Sequence, residues 1–309
     1  MKPHIVVVGS SNTDMIIRLD HIPRPGETIL GGEFFTAAGG KGANQAVAAA
    51  RAGGAVSFVA RVGRDVFGDQ AIEGFKRDGI RVDGVLRDAK RPSGVALIFV
   101  AKDGENSIAV ASGANGALRP GDVGKARAAI RGARILLMQL ETPLDTVAAA
   151  ASLAQREGVR VILNPAPAQA LPDSLLKKIS LLTPNESEAE MLSGIKVGSD
   201  VAAARAARKL RQHGVETVIL TLGARGAFVA SPEGEGLVPG FKVKAVDTTA
   251  AGDVFNGALA VSLGEGSSLW DAVRFANAAA ALSVTRLGAQ PSAPRRRDID
   301  AFRRRFRKI

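Results

Sequence analysis

Short apolar runs recur along the chain at residues 5–8, 56–60, 135–138, 159–163, 179–183 and 217–222, several of them bounded by Gly, Pro or Asn. Between them lie alanine-rich amphipathic stretches at 43–51, 66–78, 143–156, 186–192 and 201–212. A strand that is apolar at consecutive positions is buried on both faces, as in a parallel sheet covered by helices on either side. The pattern predicts an α/β fold with a doubly wound, mostly parallel sheet and ligands at the carboxyl ends of its strands. No internal repeat, low-complexity tract or long linker divides the sequence, so residues 1–309 are expected to form one domain.

Two early segments depart from this rhythm. Residues 93–100 and 107–112 flank a stretch containing Asp103-Gly104, a strong hairpin signal between apolar runs. Residues 15–19 and 27–35 flank the turn-rich His21-Ile22-Pro23-Arg24-Pro25-Gly26. With strand following strand and no helix between, these four cannot be βαβ units. They are expected to form a small projecting antiparallel β-lid, from about 15–35 and 93–112, placed over the site.

Composition narrows the class. The chain has 309 residues, 46% of them hydrophobic, enough for a sizeable core. No run reaches the roughly 18 consecutive apolar residues of a membrane span. Residues 5–8 are too few for a signal-peptide core of about 7–15. Absence of cysteine excludes disulfides, thiolate metal sites and cysteine nucleophiles, and His4, His21 and His213 are too scattered for a metal cluster. A soluble cytoplasmic protein without a membrane partner is expected. The formal net charge of +11 invites a nucleic-acid reading, yet residues 295–309, with eight Arg or Lys and two Asp, supply +6 of it. In that tail Ile299, Phe302 and Phe306 fall at helical spacing, which favours a packed surface helix with a solvated arginine face over a polynucleotide-binding tail.

Five constellations could carry chemistry. Gly9-Ser10-Ser11-Asn12-Thr13-Asp14 follows the first strand, and its amide and carboxylate, two residues apart on a loop, suit vicinal hydroxyls. A plain turn is the competing reading. Gly39-Gly40-Lys41-Gly42-Ala43-Asn44 opens a helix, where glycines admit a ligand and the helix start favours negative charge. It lacks the Ser or Thr that a Walker A loop has after Gly-Lys. In Asp247-Thr248-Thr249-Ala250-Ala251-Gly252-Asp253 the small residues can aim successive N–H groups into an anion nest, with Asp253 beside it as a proton acceptor. Asn185 and Glu188 in Thr183-Pro184-Asn185-Glu186-Ser187-Glu188 share a helix face and could orient Mg²⁺, or could merely cap the helix. Thr221-Leu222-Gly223-Ala224-Arg225-Gly226 is a glycine turn that could contact a nucleotide or simply close a strand.

Together and in this order, these motifs resemble the ribokinase family of phosphofructokinase-B-type sugar kinases. Gly39-Gly40-Lys41-Gly42-Ala43-Asn44-Gln45-Ala46 and Asp247-Thr248-Thr249-Ala250-Ala251-Gly252-Asp253 are similar to its two signatures. Asn164-Pro165-Ala166-Pro167-Ala168, Thr183-Pro184-Asn185-Glu186 and Gly288-Ala289-Gln290-Pro291-Ser292 resemble further segments of the family. The resemblance implies transfer of the ATP γ-phosphoryl group to the 5-hydroxyl of a sugar, D-ribose giving D-ribose 5-phosphate, in a homodimer paired through the lid. It implies Asp253 as base and Asn12, Asp14, Gly40, Lys41, Asn44, Glu141 and Asp253 around the sugar. The nucleotide would meet Asn185, Thr221, Gly223, Ala224, Gly226, Ala251, Gly252 and Asn277, with Asn185 and Glu188 near Mg²⁺. A monovalent cation, K⁺, would sit among Asp247, Thr249, Ser283, Arg286, Gly288 and Ser292, mostly on carbonyl oxygens. Ala224 departs from a frequent hydroxyl residue and Val254 from a common Thr. The alternatives are a related kinase of 2-deoxyribose, fructose or a nucleoside, and a non-catalytic sugar-sensing regulator on the same fold.

Overall fold

The computed structural model describes residues 2–306; Met1 and the last three residues of the basic tail, 307–309, lie outside the described residues. In chain order the strands are β1 (His4–Val8), β2 (Asn12–Leu19), β3 (Glu33–Gly39), β4 (Ala55–Gly63), β5 (Arg81–Asp88), β6 (Gly94–Ala101), β7 (Asn106–Ala111), β8 (Ile135–Met138), β9 (Arg160–Leu163), β10 (Leu181–Leu182), β11 (Thr217–Thr221), β12 (Gly226–Ser231) and β13 (Gly234–Pro239). The helices are α1 (Lys41–Ala52), α2 (Val66–Arg77), α3 (Pro120–Lys125), α4 (Arg127–Arg131), α5 (Leu144–Arg156), α6 (Asp173–Leu176), α7 (Glu186–Ser193), α8 (Asp200–Gln212), α9 (Ala251–Gly264), α10 (Leu269–Ser283), α11 (Ala289–Ser292) and α12 (Arg296–Phe306).

One sheet runs β13-β12-β11-β10-β9-β8-β1-β4-β5. From β11 to β5 every neighbouring pair is parallel, and β12 and β13 add an antiparallel hairpin at one edge. Alternate residues of each central strand enter opposite layers. Ile5 and Val7 pack among Ala46 and Val47 of α1, Leu259 of α9 and Phe275 of α10, whereas Val6 and Val8 belong with Val147 of α5 and Leu210 of α8. Both faces are apolar because both are covered. Strand order reverses between β1 and β8, so connections diverge there and leave a crevice at the carboxyl ends.

A second sheet, β3-β2-β6-β7, forms the lid. Its outer pairs are antiparallel, but β2 and β6 run parallel, from Asn12 opposite Gly94 to Leu19 opposite Ala101. Both strands leave the same end of the core and run outward together, which fixes that direction. The turn between β6 and β7 falls where Asp103-Gly104 predicts it, with Gly104 at φ 91°. β2 reaches back to Asn12, so Asn12 and Asp14 sit on a strand rather than on the expected loop. β3 starts at Glu33 rather than residue 27, after Gly31 and Gly32 at φ 100° and 97° break the approach.

The tail folds as the spacing predicts. Ile299 of α12 is buried, and the rings of Phe302 and Phe306 lie 5.3 and 5.1 Å from that of Phe241. No helix among the described residues is long and apolar enough to cross a membrane.

Candidate active site

The crevice is lined from both halves of the core sheet and from the lid, and its cavity of about 330 Å³ is small for a ligand site. Asp253 is the third residue of α9 and is buried. Asn44 Nδ2 donates to its Oδ2 (3.0 Å) and Gln45 Nε2 to its Oδ1 (2.9 Å). Burial raises its pKa, opposed by the charge of Lys41 and by both amides, while Glu141 adds to the rise. Ala250, just before α9, adopts φ 58°, the left-handed region that costs a non-glycine residue roughly 1–2 kcal/mol. The anion nest differs from expectation in one respect: Ala251 N–H closes a turn on Thr248 O (3.2 Å). Gly252 and Asp253 N–H take no backbone acceptor among the described residues and remain as donors.

The two amides reach Asp253 because α1 begins hard against the loop after β1. A Cβ on Gly42 would lie 2.5 Å from Ser10 N, and one on Gly40, at φ 88°, would lie 2.7 Å from Asn12 N. Only glycine permits that approach. Beyond them, Glu141 Oε2 accepts from Lys41 N–H (2.9 Å) and from the Ser10 hydroxyl, leaving Oε1 free among the described residues. Asp14 faces the same space and accepts no hydrogen bond among the described residues. Burial, then Glu141 and Asp253, push its pKa from 3.8 to about 6. Asn12 Oδ1 is taken by Asn115 Nδ2 (2.7 Å), so its amide hydrogens are what it can offer a ligand. Asn44 Oδ1 is buried with no partner, an acceptor awaiting a donor in the crevice. Two glycines hem in β2: a Cβ on Gly39 would meet Asp14 Oδ1 at 2.2 Å, and one on Gly94 would meet Asn12 Oδ1 at 2.2 Å.

Sequence reading placed Asn12, Asp14, Gly40, Lys41, Asn44, Glu141 and Asp253 together, and all seven line the crevice. So do Asn185, Glu188, Thr221, Thr249, Ala251 and Gly252. Gly223, Ala224, Gly226 and Asn277 are not among its lining residues. Gly226, at φ 106°, packs against Val238 O, and Asn277 Nδ2 donates to Val238 O and Pro239 O, tying α10 to β13. Sequence reading passed over Asn115 and gave no role to Ser10, Gln45, Asn164, Thr183 and Asn256, although these stand in or beside its motifs. Asn164 Nδ2 donates to Thr183 O, the Thr183 hydroxyl to Asn256 Oδ1, and Asn256 Nδ2 to Gly252 O, so a buried polar chain runs beneath the crevice. The available signal was an amide directly after a run of buried apolar residues, as at Gln139 and Asn164.

A scan against protein-family models matches residues 2–296 to pfkB family carbohydrate kinase. The chain is 47% identical over 302 residues to a ribokinase of Haemophilus influenzae, covering 98% of this chain and 99% of that protein. It belongs to the pfkB family of carbohydrate kinases. Among solved structures, Arabidopsis thaliana ribokinase complexed with ribose and ATP superposes with a TM-score of 0.91 at 35% identity, covering 98% of this kinase and 99% of that chain. A deoxyribokinase of Salmonella typhi is 38% identical over 291 residues, 94% of this kinase and 95% of that protein.

The metal positions of this kinase fit unevenly. Asn185 and Glu188 form a reciprocal capping box at the start of α7: Glu188 N donates to Asn185 Oδ1, and Asn185 N and Nδ2 donate to the two oxygens of Glu188. Burial raises the Glu188 pKa against the Asn185 backbone N–H and the charge of Lys41. No cluster of three or more His, Cys, Asp or Glu able to hold a metal exists among the described residues. A Mg²⁺ ion here would therefore depend on phosphate oxygens and water, with Glu188 as a single protein carboxylate. The monovalent-cation loops do meet. Asp247 accepts from Thr249 N–H (2.9 Å) and Gly288 N–H (2.8 Å), and Val246 and Asp247 N–H both reach Val284 O. The hydroxyls of Ser283 and Ser292 are spent on Ala280 O and Ala289 O, and Arg286 N–H takes Ser283 O. Among the described residues, this place offers an ion the Asp247 carboxylate and main-chain oxygens.

Proposed function

We propose that this kinase transfers the γ-phosphoryl group of ATP to the 5-hydroxyl of D-ribose, forming D-ribose 5-phosphate and ADP. The observation that carries it is the convergence of Asp14, the orphaned Asn44 carbonyl and the free oxygen of Glu141 around Asp253 in one small crevice. These acceptors, with the Asn12 amide, answer the several hydroxyls of a pentose. The apolar lining is aliphatic throughout, chiefly Ala96, Ala166, Ile98, Ile108 and Val110, and the lining residues include no ring on which a nucleobase could stack.

Asp253 accepts the proton of the sugar hydroxyl as that oxygen attacks. Lys41 and the two amides favour its ionised form against burial. Gly252 and Asp253 N–H, at the positive end of α9, stabilise charge on the transferring group. Mg²⁺, when bound with ATP, neutralises phosphate charge. Phosphoryl transfer otherwise asks chiefly for alignment, and the lid residues Ile98, Ile108 and Val110 keep water from competing as acceptor.

Two further features belong to this reading. Oxygens between Asp247 and residues 284–292 would hold K⁺, which would order the segment before α9. The kinase pairs through its lid in a cytoplasmic homodimer. Alternation along β2 and β6 puts Met15, Ile17, Leu97 and Phe99 on the face away from Asp14, with Phe34 opposite Ile17. Phe34 is 64% exposed and Leu97 48%, so this face needs a cover.

A panel of ribose, 2-deoxyribose, fructose and adenosine under MgATP and K⁺ tests the assignment. Ribose should exceed 2-deoxyribose by at least about tenfold in kcat/KM, because acceptors built for a hydroxyl are left unpaired without it. Any other substrate exceeding ribose overturns the ribose assignment.

A further inference from the structure

Beneath the catalytic carboxylate lie two primary amides that touch no part of the crevice. Gln45 is 0% exposed and Gln139 1%, and neither lines the cavity. Gln139 follows β8 directly, and its Nε2 donates to Gln45 Oε1 at 2.6 Å. Gln45, on α1, sends its own Nε2 to Asp253 Oδ1 (2.9 Å) and to Asn164 Oδ1 (3.1 Å). The acceptors Asp253 Oδ1 and Asn164 Oδ1 fix which way the Gln45 amide points, and Gln139 donates to the oxygen left at its other end. Flipped, it would set its NH₂ against that of Gln139 and its carbonyl against a carboxylate. The arrangement has required room elsewhere, since a Cβ on Gly9 would stand 2.2 Å from Gln139 Oε1 and 2.8 Å from Gly42 Cα.

We infer that Gln139 and Gln45 form a positioning relay for Asp253, holding Oδ1 from inside the core so that the substrate proton is taken up at Oδ2. Oδ2 is the oxygen bonded to Asn44, which lines the crevice. The relay also favours the ionised carboxylate, because an amide N–H can donate to it and can accept nothing from it. Lys41 at the start of α1 acts in the same direction, while Glu141 after β8, Asp14 on β2 and Glu188 on α7 oppose it. Gln45 and Gln139 act only through Asp253, so they are positioning residues, and the inference rests on Asp253 being the base.

The test is the pH dependence of kcat/KM from pH 5 to 9 for the wild type, Gln45→Leu, Gln45→Glu, Gln139→Leu and Asp253→Asn. Removing the Gln45 donor raises the Asp253 pKa, so the acid limb of Gln45→Leu should move up by about one pH unit. Its kcat should fall roughly ten- to a hundredfold from lost alignment, with both KM values within about threefold of wild type. Gln45→Glu keeps the shape but sets a carboxylate against a carboxylate, so its limb should move further than that of Gln45→Leu. Gln139→Leu should move it the same way by less. Acid limbs superimposing on wild type, or a loss confined to KM, overturn the relay. If the Gln45 variants fail to fold, Gln139→Leu decides alone, and a wild-type profile for it overturns the relay. Retained turnover in Asp253→Asn defeats instead the base assignment on which the relay rests.

Discussion

Replacing Asp14 by Asn should make the sugar-free kinase more stable and a worse catalyst, and the size of the gain can be worked out. Asp14 is held partly buried beside Glu141 and Asp253, which raises its pKa from 3.8 to about 6. Because the folded pKa is raised, the penalty for ionising it is absent below about pH 4, grows as pH rises and is complete above about pH 6. At about 1.36 kcal/mol per pKa unit the full penalty approaches 3 kcal/mol, and about 2 kcal/mol is the figure to expect once solvent screening of its open side is counted. Asn is isosteric and forfeits no protein hydrogen bond, since Asp14 accepts none among the described residues. For a chain of this size about 2 kcal/mol corresponds to roughly 3 °C in Tm. Thermal unfolding without sugar or nucleotide should therefore show Asp14→Asn melting about 3 °C higher at pH 8, with the difference gone near pH 4. The same variant should lose at least about tenfold in kcat/KM for the sugar. A variant no more stable than wild type at pH 8, or an advantage that persists unchanged at pH 4, refutes the reasoning.

Other outcomes follow from the same geometry. Asp253→Asn should fold and bind both substrates while turnover drops roughly 10²–10⁴-fold, and near-wild-type turnover removes it as base. Rates at fixed ionic strength should rise when K⁺ replaces tetramethylammonium, and equal rates count against an ion at Asp247. Light scattering at micromolar concentration with sugar present should give twice the chain mass, and a monomer contradicts pairing through the lid.

The strands at β1, β8, β9 and β11 were legible because each is apolar at consecutive positions and buried on both faces. β5, Arg-Val-Asp-Gly-Val-Leu-Arg-Asp, lies at the sheet edge with Arg81 and Asp83 exposed, so its polar positions hid it. The crevice residues were legible where they stand in glycine-rich or helix-opening motifs. Gln139 was not, and Gln45 and Asn256 received no role although they stand in or beside such motifs, because a polar residue in sequence reads as surface. Here their partners are other buried amides and hydroxyls brought in from distant strands, and pairing of that kind has no local signature. The lid's central parallel pair was hidden for the same reason, since pairing direction depends on where two remote strands leave the core.

The lid also poses a question of register. Hydrophobicity ordinarily sets register, because a one-residue slip exchanges the buried and solvent faces. In β2 the apolar pattern is weak, with Ile16 sharing its face with Asn12, Asp14 and Arg18, and β6 is apolar on both sides at Ile98 and Leu97, so that rule has little purchase. What locks the alignment is steric: Gly39 and Gly94 lie on either side of β2, where Asp14 and Asn12 fill the space a Cβ would take. Slip by one residue brings Ala38 or Val95 against those side chains and forces them out. The two glycines thus work as a vernier that sets Asn12 and Asp14 to the floor of the crevice. Redesign of the crevice through the lid has freedom at Ile108 and Val110 on the outer strand, whereas side chains added at Gly39 or Gly94 displace Asp14 and Asn12, the groups proposed to meet the sugar.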